Sequence, residues 1–167
     1  MIGYRATGKT TLAKLVAQRL EWEWADADEE IERRLGRPIE RIFAEQGEPA
    51  FRDAEARAIA GLCRRDRLVL AAGGGAPLRL ETRRLLRERG KVVWLTARPE
   101  TILARMAADP TTAGRRPRLT GKTPLEEIMH LLAVREPVYR EAADLVVDTD
   151  DRRPADLAAA IISGLEM

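Results

Sequence analysis

Nine residues near the start of the chain, Gly3-Tyr4-Arg5-Ala6-Thr7-Gly8-Lys9-Thr10-Thr11, restrict the fold more than any other stretch, because they match the spacing G-x-x-x-x-G-K-[ST]. Glycine at both ends lets the backbone curl until successive N–H groups face one concave anion seat, which continues into the N-terminus of the next helix. Lys9 is then placed to reach the outer phosphates of a nucleotide, and the Thr10 hydroxyl to ligate Mg²⁺. The chain holds 4 Lys against 25 Arg, yet Lys fills the one slot that needs it. Helical spacing of Leu12, Leu15, Val16 and Leu20 follows at once, as a P-loop requires.

At 167 residues the chain is expected to form one domain. No apolar run approaches the roughly 18 residues of a membrane span. Arg5 and Lys9 sit among glycines and threonines rather than ahead of an apolar stretch, unlike a secretory signal. A soluble, cytoplasmic protein is the expectation. The formal charge is only +2, and basic clusters such as Arg64-Arg65-Asp66-Arg67 are interleaved with acids, as on solvated helix faces. Without a one-sided basic stripe or stacking aromatics, nucleic acid is not an expected partner. Cys63 is the only cysteine, which excludes an intrachain disulfide and a cysteine metal cluster; it reads as a small packed apolar residue. His130, on a helix with apolar neighbours, reads as structural or surface.

Along the chain, Met1-Ile2 is short for a strand feeding such a loop, since interior parallel strands run to about five residues. This predicts a recorded start downstream of the true one. A short strand at 22–25 ends in Asp26-Ala27-Asp28, a carboxylate pair facing the crevice where α/β sheets bind ligands. From 29 to 62 the pattern is helical, broken at Gly36-Arg37-Pro38 and Gly47-Glu48-Pro49, giving about three helices beside the sheet. A buried strand at 67–71 runs into Gly73-Gly74-Gly75. A helix (78–89), a strand (92–95) and a helix (about 100–108) follow. The stretch 109–117 cannot hold regular structure and has the length of a lid. A helical stretch from Pro124 towards Ala143, bent or interrupted near Pro137, precedes a strand at 145–148 and a last helix from about 154. Strands alternating with helices behind a P-loop predict an α/β three-layer sandwich on a parallel sheet.

These features together resemble the shikimate kinase family, over nearly the whole chain. The resemblance rests on the P-loop, Asp26-Ala27-Asp28, Phe51-Arg52 within Gly47-Glu48-Pro49-Ala50-Phe51-Arg52, Gly73-Gly74-Gly75, Arg116-Pro117, Arg135-Glu136-Pro137-Val138-Tyr139, and Val147-Asp148-Thr149…Pro154. It implies a five-stranded parallel sheet, a helical shikimate-binding insertion at about 27–62, a closing lid at about 109–123, and a monomer. It also implies phosphoryl transfer from ATP, with Mg²⁺, to the 3-hydroxyl of shikimate. Ala6 stands where many family loops have Gly, and Thr10 replaces a frequent Ser without losing the hydroxyl.

Phosphoryl transfer passes through a loose transition state, so positioning and charge neutralisation dominate. The loop from Gly3 to Thr11, with Lys9, would hold the triphosphate. Thr10 would ligate the metal and Asp26 would reach it through water. Asp28 would orient the acceptor hydroxyl and take its proton; the competing reading is a cap on the helix that begins near Glu29. Arg52 and Arg135 would clamp the substrate carboxylate, whereas for any Arg in so Arg-rich a chain the default is the solvated surface, which only the family positions reverse. Gly73, Gly74 and Gly75 would bring backbone against the substrate, Gly74 donating its N–H. The family implies that Arg116 closes with the lid onto the transferring phosphoryl group, with Arg115 and Arg118 as competitors, and that Arg152 stacks on adenine, with Arg153 beside it. Phe43 and Phe51 would line the pocket or pack in the core. The rival readings are a sugar-acid kinase of the gluconate type and a non-catalytic module built on the same fold.

Overall fold

The structure is a computed structural model that describes residues 1–109 and 123–165. The expected lid, with Arg115, Arg116 and Arg118, lies outside the described residues apart from its ends at Asp109 and Thr123. The P-loop opens helix α1 (Lys9–Leu20), and Gly8 at its N-cap adopts φ 91°. No acidic residue occupies the first turn of α1, so the positive end of the helix dipole is left for an external anion. Gly3 is required twice over: its φ is 139°, and a Cβ there would run into the Leu95 carbonyl. Ala6 also lies in the left-handed region, at φ 60°.

Strand β1 (Glu23–Asp26) leads directly into α2 (Ala27–Leu35). The Asp26 carboxylate caps α2 by accepting from Asp28 N–H at 2.9 Å, and Asp28, Glu29 and Glu30 in its first turn oppose Arg33 and Arg34 in its last, matching the dipole. The cap is therefore Asp26, and the helix begins two residues earlier than the sequence pattern predicts. Helix α3 (Ile39–Leu62) is interrupted at Gly47, whose φ of 78° and ψ of 177° are not helical. That interruption is the second break read from Gly47-Glu48-Pro49. Strand β2 (Leu68–Ala71), a 3₁₀ turn (Ala76–Leu78), α4 (Leu80–Arg89), β3 (Val93–Thr96) and α5 (Pro99–Ala108) follow. Helix α6 (Pro124–Ala142) starts in a Thr123–Glu126 capping box and continues through Pro137. Strand β4 (Leu145–Asp148) and α7 (Pro154–Leu165) complete the described chain.

Among the described residues four strands form two parallel pairs, β1 with β2 and β3 with β4. Met1 and Ile2 stand between the pairs. The Met1 ammonium donates to Leu70 O at 2.5 Å and Ala72 N–H donates to Met1 O at 3.0 Å, while Ile2 N–H donates to Val93 O at 2.8 Å and Leu95 N–H to Ile2 O at 2.9 Å. The expected fifth strand is thus reduced to one bridge, Ile2 opposite Trp94, because two residues cannot sustain a ladder.

Helices cover both faces. On one, Leu12 and Val16 of α1 pack with Leu157, Ala158 and Ile161 of α7 against Val93, Leu95 and Val147. On the other, Ala27, Ile59, Tyr139 and Ala142 pack against Ile2, Val92 and Trp94. A separate cluster of Ile31, Ile39, Ile42, Phe51, Ala54 and Ala58 holds α2 to α3, with the Phe51 ring 4.6 Å from that of Phe43. Phe51 is fully buried there, so the pair belongs to the core. Cys63 packs partly buried beside the sheet, and burial pushes its thiol above the usual range. His130 is exposed.

Ala6→Gly is expected to raise Tm by about 1–2 °C, because relief of left-handed strain exceeds the added unfolded-state entropy; the same exchange at an ordinary helical site lowers it. Burial, and secondarily the Lys9 charge, lower the Met1 ammonium from 8.0 to about 5. The unfolded chain therefore binds a proton at higher pH than the folded one, and stability should fall as pH drops from about 8 to about 5, by at most about 1.4 kcal/mol per pH unit. Urea unfolding across that window, repeated on the Nα-acetylated chain, should show this slope only in the unmodified protein.

Candidate active site

The loop after Ile2, the end of β1 and the turn after β2 all open at the C-terminal edge of the sheet, where they enclose a cavity of about 250 Å³. Gly8, Lys9, Thr10, Asp26, Asp28 and Gly73 are among its lining residues. Lys9 Nζ donates to the carbonyls of Gly3 (3.0 Å) and Tyr4 (2.7 Å), while buried Thr7 donates from Oγ1 to Tyr4 O at 2.8 Å. The loop is thereby cross-linked to itself, with the ammonium at its mouth. Arg5 also lines the cavity, its guanidinium 3.7 Å from Glu127 of α6 and its charge over the Tyr4 ring at 5.7 Å. Thr11 is exposed on α1 but still lines the cavity.

The Thr10 hydroxyl and the Asp26 carboxylate meet at 2.6 Å. This pair couples the first turn of α1 to the end of β1. The second Asp26 oxygen caps α2, which fixes the carboxylate in direction. Two hard oxygens in contact, one a carboxylate, suit Mg²⁺, which takes one or two protein carboxylates and completes its octahedron with phosphate and water. Asp28, one residue beyond α2's first, faces the same cavity from the other side of the Asp26 cap.

The three consecutive glycines sit where side chains leave no room. A Cβ on Gly73 would run into the Glu55 carboxylate and stand 3.5 Å from Asp28 Oδ1; one on Gly75 would run into the Arg52 guanidinium. On Gly74 it would meet Gly3 O at 3.1 Å and Arg135 Nη1 at 3.5 Å. Arg52 and Arg135, from different helices, therefore flank adjacent residues of one turn, close to Asp28. Arg135 is 8% exposed, with its guanidinium 5.6 Å over the Tyr4 ring. Arg52 pairs with Glu55 at 2.8 Å through Nη1 and with Glu48 at 3.0 Å through Nη2. Burial works against the charge of Arg52, but Glu55 and then Glu48 outweigh it and hold its pKa above the ordinary value.

Three residues were given no role of their own in the sequence reading, although Tyr139 ends one of its motifs. Glu55 is 2% exposed beside Gly73, and its only signal was the i,i+3 spacing from Arg52. Tyr139, fully buried, donates its hydroxyl to the Gly74 carbonyl and so holds the glycine turn from behind. Arg105 of α5 donates to Ala6 O at 3.3 Å and to Thr149 Oγ1 and O at 3.0 and 2.8 Å, tying the P-loop to the segment after β4. Arg152 lies exposed in that segment, while Arg153 is engaged with Asp156 at 2.8 Å. Among the described residues no helix is long and apolar enough to cross a membrane.

Residues 5–166 match the family model described as shikimate kinase. The shikimate kinase of Rhodopirellula baltica is 42% identical over 162 residues, covering 97% of this chain and 87% of the relative. That of Moorella thermoacetica is 43% identical over 166 residues, covering 99% and 92%. The solved structure of the Acinetobacter baumannii shikimate kinase in complex with shikimate superposes with a TM-score of 0.90 at 37% identity, covering 97% of this chain and 88% of that one. The P-loop, the crowded glycine turn and the match along almost the entire length agree, and the chain belongs to the shikimate kinase family.

Proposed function

We propose that the chain transfers the γ-phosphoryl group of ATP to the 3-hydroxyl of shikimate, giving shikimate 3-phosphate and ADP. The observation that supports this reading is the glycine turn: Gly73 and Gly74 line the cavity with Lys9 and Asp28, and the guanidinium groups of Arg135 and Arg52 stand beside Gly74 and Gly75. An acceptor that is both an alcohol and a carboxylate matches that set, since planar guanidinium forks recognise a carboxylate bidentately.

In this reading the loop amides and Lys9 bind the phosphates, and the free N-terminus of α1 adds its dipole. Thr10 and Asp26 would hold Mg²⁺, which would neutralise phosphate charge. Asp28 orients the acceptor hydroxyl and accepts its proton, which leaves late in a loose transition state, so direction counts for more than basicity. Arg135 and Arg52 hold the substrate carboxylate against the turn of Gly73, Gly74 and Gly75. Arg135 is the more preorganised, being buried over Tyr4. Arg52 reaches the substrate only by sharing donors with Glu48, the more exposed of its two partners. Glu55 sets the position of Arg52, and Tyr139 that of the glycine turn. Arg116 supplies a further charge to the transferring group and Arg152 a surface for adenine, on the strength of the family pattern. The α2–α3 region is proposed as the acceptor-binding insertion of a single domain with a five-stranded sheet.

A coupled ADP-release assay with ATP and Mg²⁺ should show turnover with shikimate well above that with gluconate or with no acceptor; equal rates in all three would remove the assignment. Asp28→Asn is expected to lower kcat by about 10²-fold with a smaller change in KM for shikimate. Arg135→Ala should do the reverse, raising that KM by about 10- to 100-fold while kcat changes little, and Arg135→Lys should recover only part of the loss, because a point charge lacks the fork.

A further inference from the structure

The two guanidinium groups beside the glycine turn are not in the same condition. Among the described residues Arg135 pairs with no carboxylate and rests over the Tyr4 ring. Arg52 already has two. Its Nη1 donates to Glu55 at 2.8 Å, while Nε at 3.2 Å and Nη2 at 3.0 Å both donate to Glu48 Oε1. The Nε and Nη2 donors form a fork that matches an incoming carboxylate, and Glu48 occupies it.

The two glutamates serve Arg52 differently. Glu55 is 2% exposed and reaches Nη1 from three residues further along the same helix. Arg52 also lies 5.2 Å over the Phe51 ring, with Gly75 close against it. These contacts fix the guanidinium without Glu48. The Glu48 side chain is 46% exposed, and it directly follows Gly47, the residue at which α3 breaks. It can turn into solvent by side-chain rotation, at the cost of an exposed ion pair rather than of packing. Charge favours the same conclusion: with Glu55 and Glu48 both in place, Arg52 is outnumbered, and a further carboxylate is repelled rather than drawn in.

We propose that Glu48 is a selectivity residue: its carboxylate stands in for that of the acceptor, closes the Arg52 fork to simple anions, and yields to an acceptor whose hydroxyls add contacts that an isolated anion lacks. Binding strength is given up for discrimination, because an occupied fork is taken only by a ligand that outcompetes the occupant. The inference rests on the assignment of Arg52 to the acceptor carboxylate. Removing the competitor should tighten binding, the reverse of what the loss of a supporting residue does.

The test compares steady-state kinetics, with ATP and Mg²⁺, of the parent chain, Glu48→Gln, Arg52→Ala and the double variant. Glu48→Gln is expected to lower KM for shikimate by about 3- to 10-fold. It should lower at least as much the inhibition constant of sodium acetate as a competitor of shikimate, with ionic strength held constant by sodium chloride. On the Arg52→Ala background the same substitution should change either constant by less than about 2-fold, because the fork it opens is gone. A KM that stays the same or rises in Glu48→Gln overturns the proposal, as does unchanged inhibition by acetate. An equal fall with and without Arg52 overturns it too, by marking a general effect of surface charge. If the parent chain shows no turnover with shikimate, the assigned reaction fails and this inference with it; parental turnover with a failed Glu48 comparison removes this inference alone.

Discussion

The structure depends on a backbone turn that gathers N–H groups at the start of α1 and leaves the helix dipole uncompensated. A helix normally answers its first turn with a carboxylate, as α2 does with Asp26, Asp28, Glu29 and Glu30. Helix α1 does not, and its cap, Gly8, carries no side chain. The nearest carboxylate, Asp26, is instead spent on the Thr10 hydroxyl and on capping α2. One side chain thereby locks the ends of two helices and a strand around the cavity, while the positive field of α1 stays directed into it.

The acceptor side follows from crowding. Three glycines in succession allow Glu55, Arg135 and Arg52 to press against the turn in register, one side chain to each residue. An alanine at Gly73 or Gly75 would displace a charged group rather than a pliable apolar one, and one at Gly74 would crowd the Gly3 carbonyl. The charges are held by contacts of different kinds. Arg135 rests over Tyr4 of the P-loop, so the glycine turn and the P-loop are joined through it, and Arg52 is balanced by two glutamates. A partly buried guanidinium flanked by carboxylates remains charged at the cost of sharing its donors.

The two ends of the sheet contrast. At the C-terminal edge the described loops are held by polar contacts, including Arg105 between Ala6 and Thr149 and Tyr139 behind Gly74. At the other edge, β2 and β3 part around an apolar space, and the connection through the sheet rests on the backbone of Met1 and Ile2. The loop that binds phosphate begins one residue later, so the anchoring of the site and the continuity of the sheet are one problem.

The local chemistry was legible in the sequence because it depends on short spacings: the P-loop, the Asp26–Asp28 pair, the breaks at Gly36 and Gly47, and the alternation of strands with helices. The roles proposed for Arg52 and Arg135 come only from resemblance, since no local pattern separates two arginines from 23 others. Tertiary structure alone decided that Phe51 belongs to the core and how Glu55, Tyr139 and Arg105 pack around the glycine turn and the P-loop. It also decided why there are three glycines, a matter of what approaches them rather than of their own dihedral freedom. The physical reason is range: hydrogen bonds within a turn are written in neighbouring residues, whereas burial, crowding and charge pairing arise between segments 20 to 100 residues apart that meet only when the sheet forms.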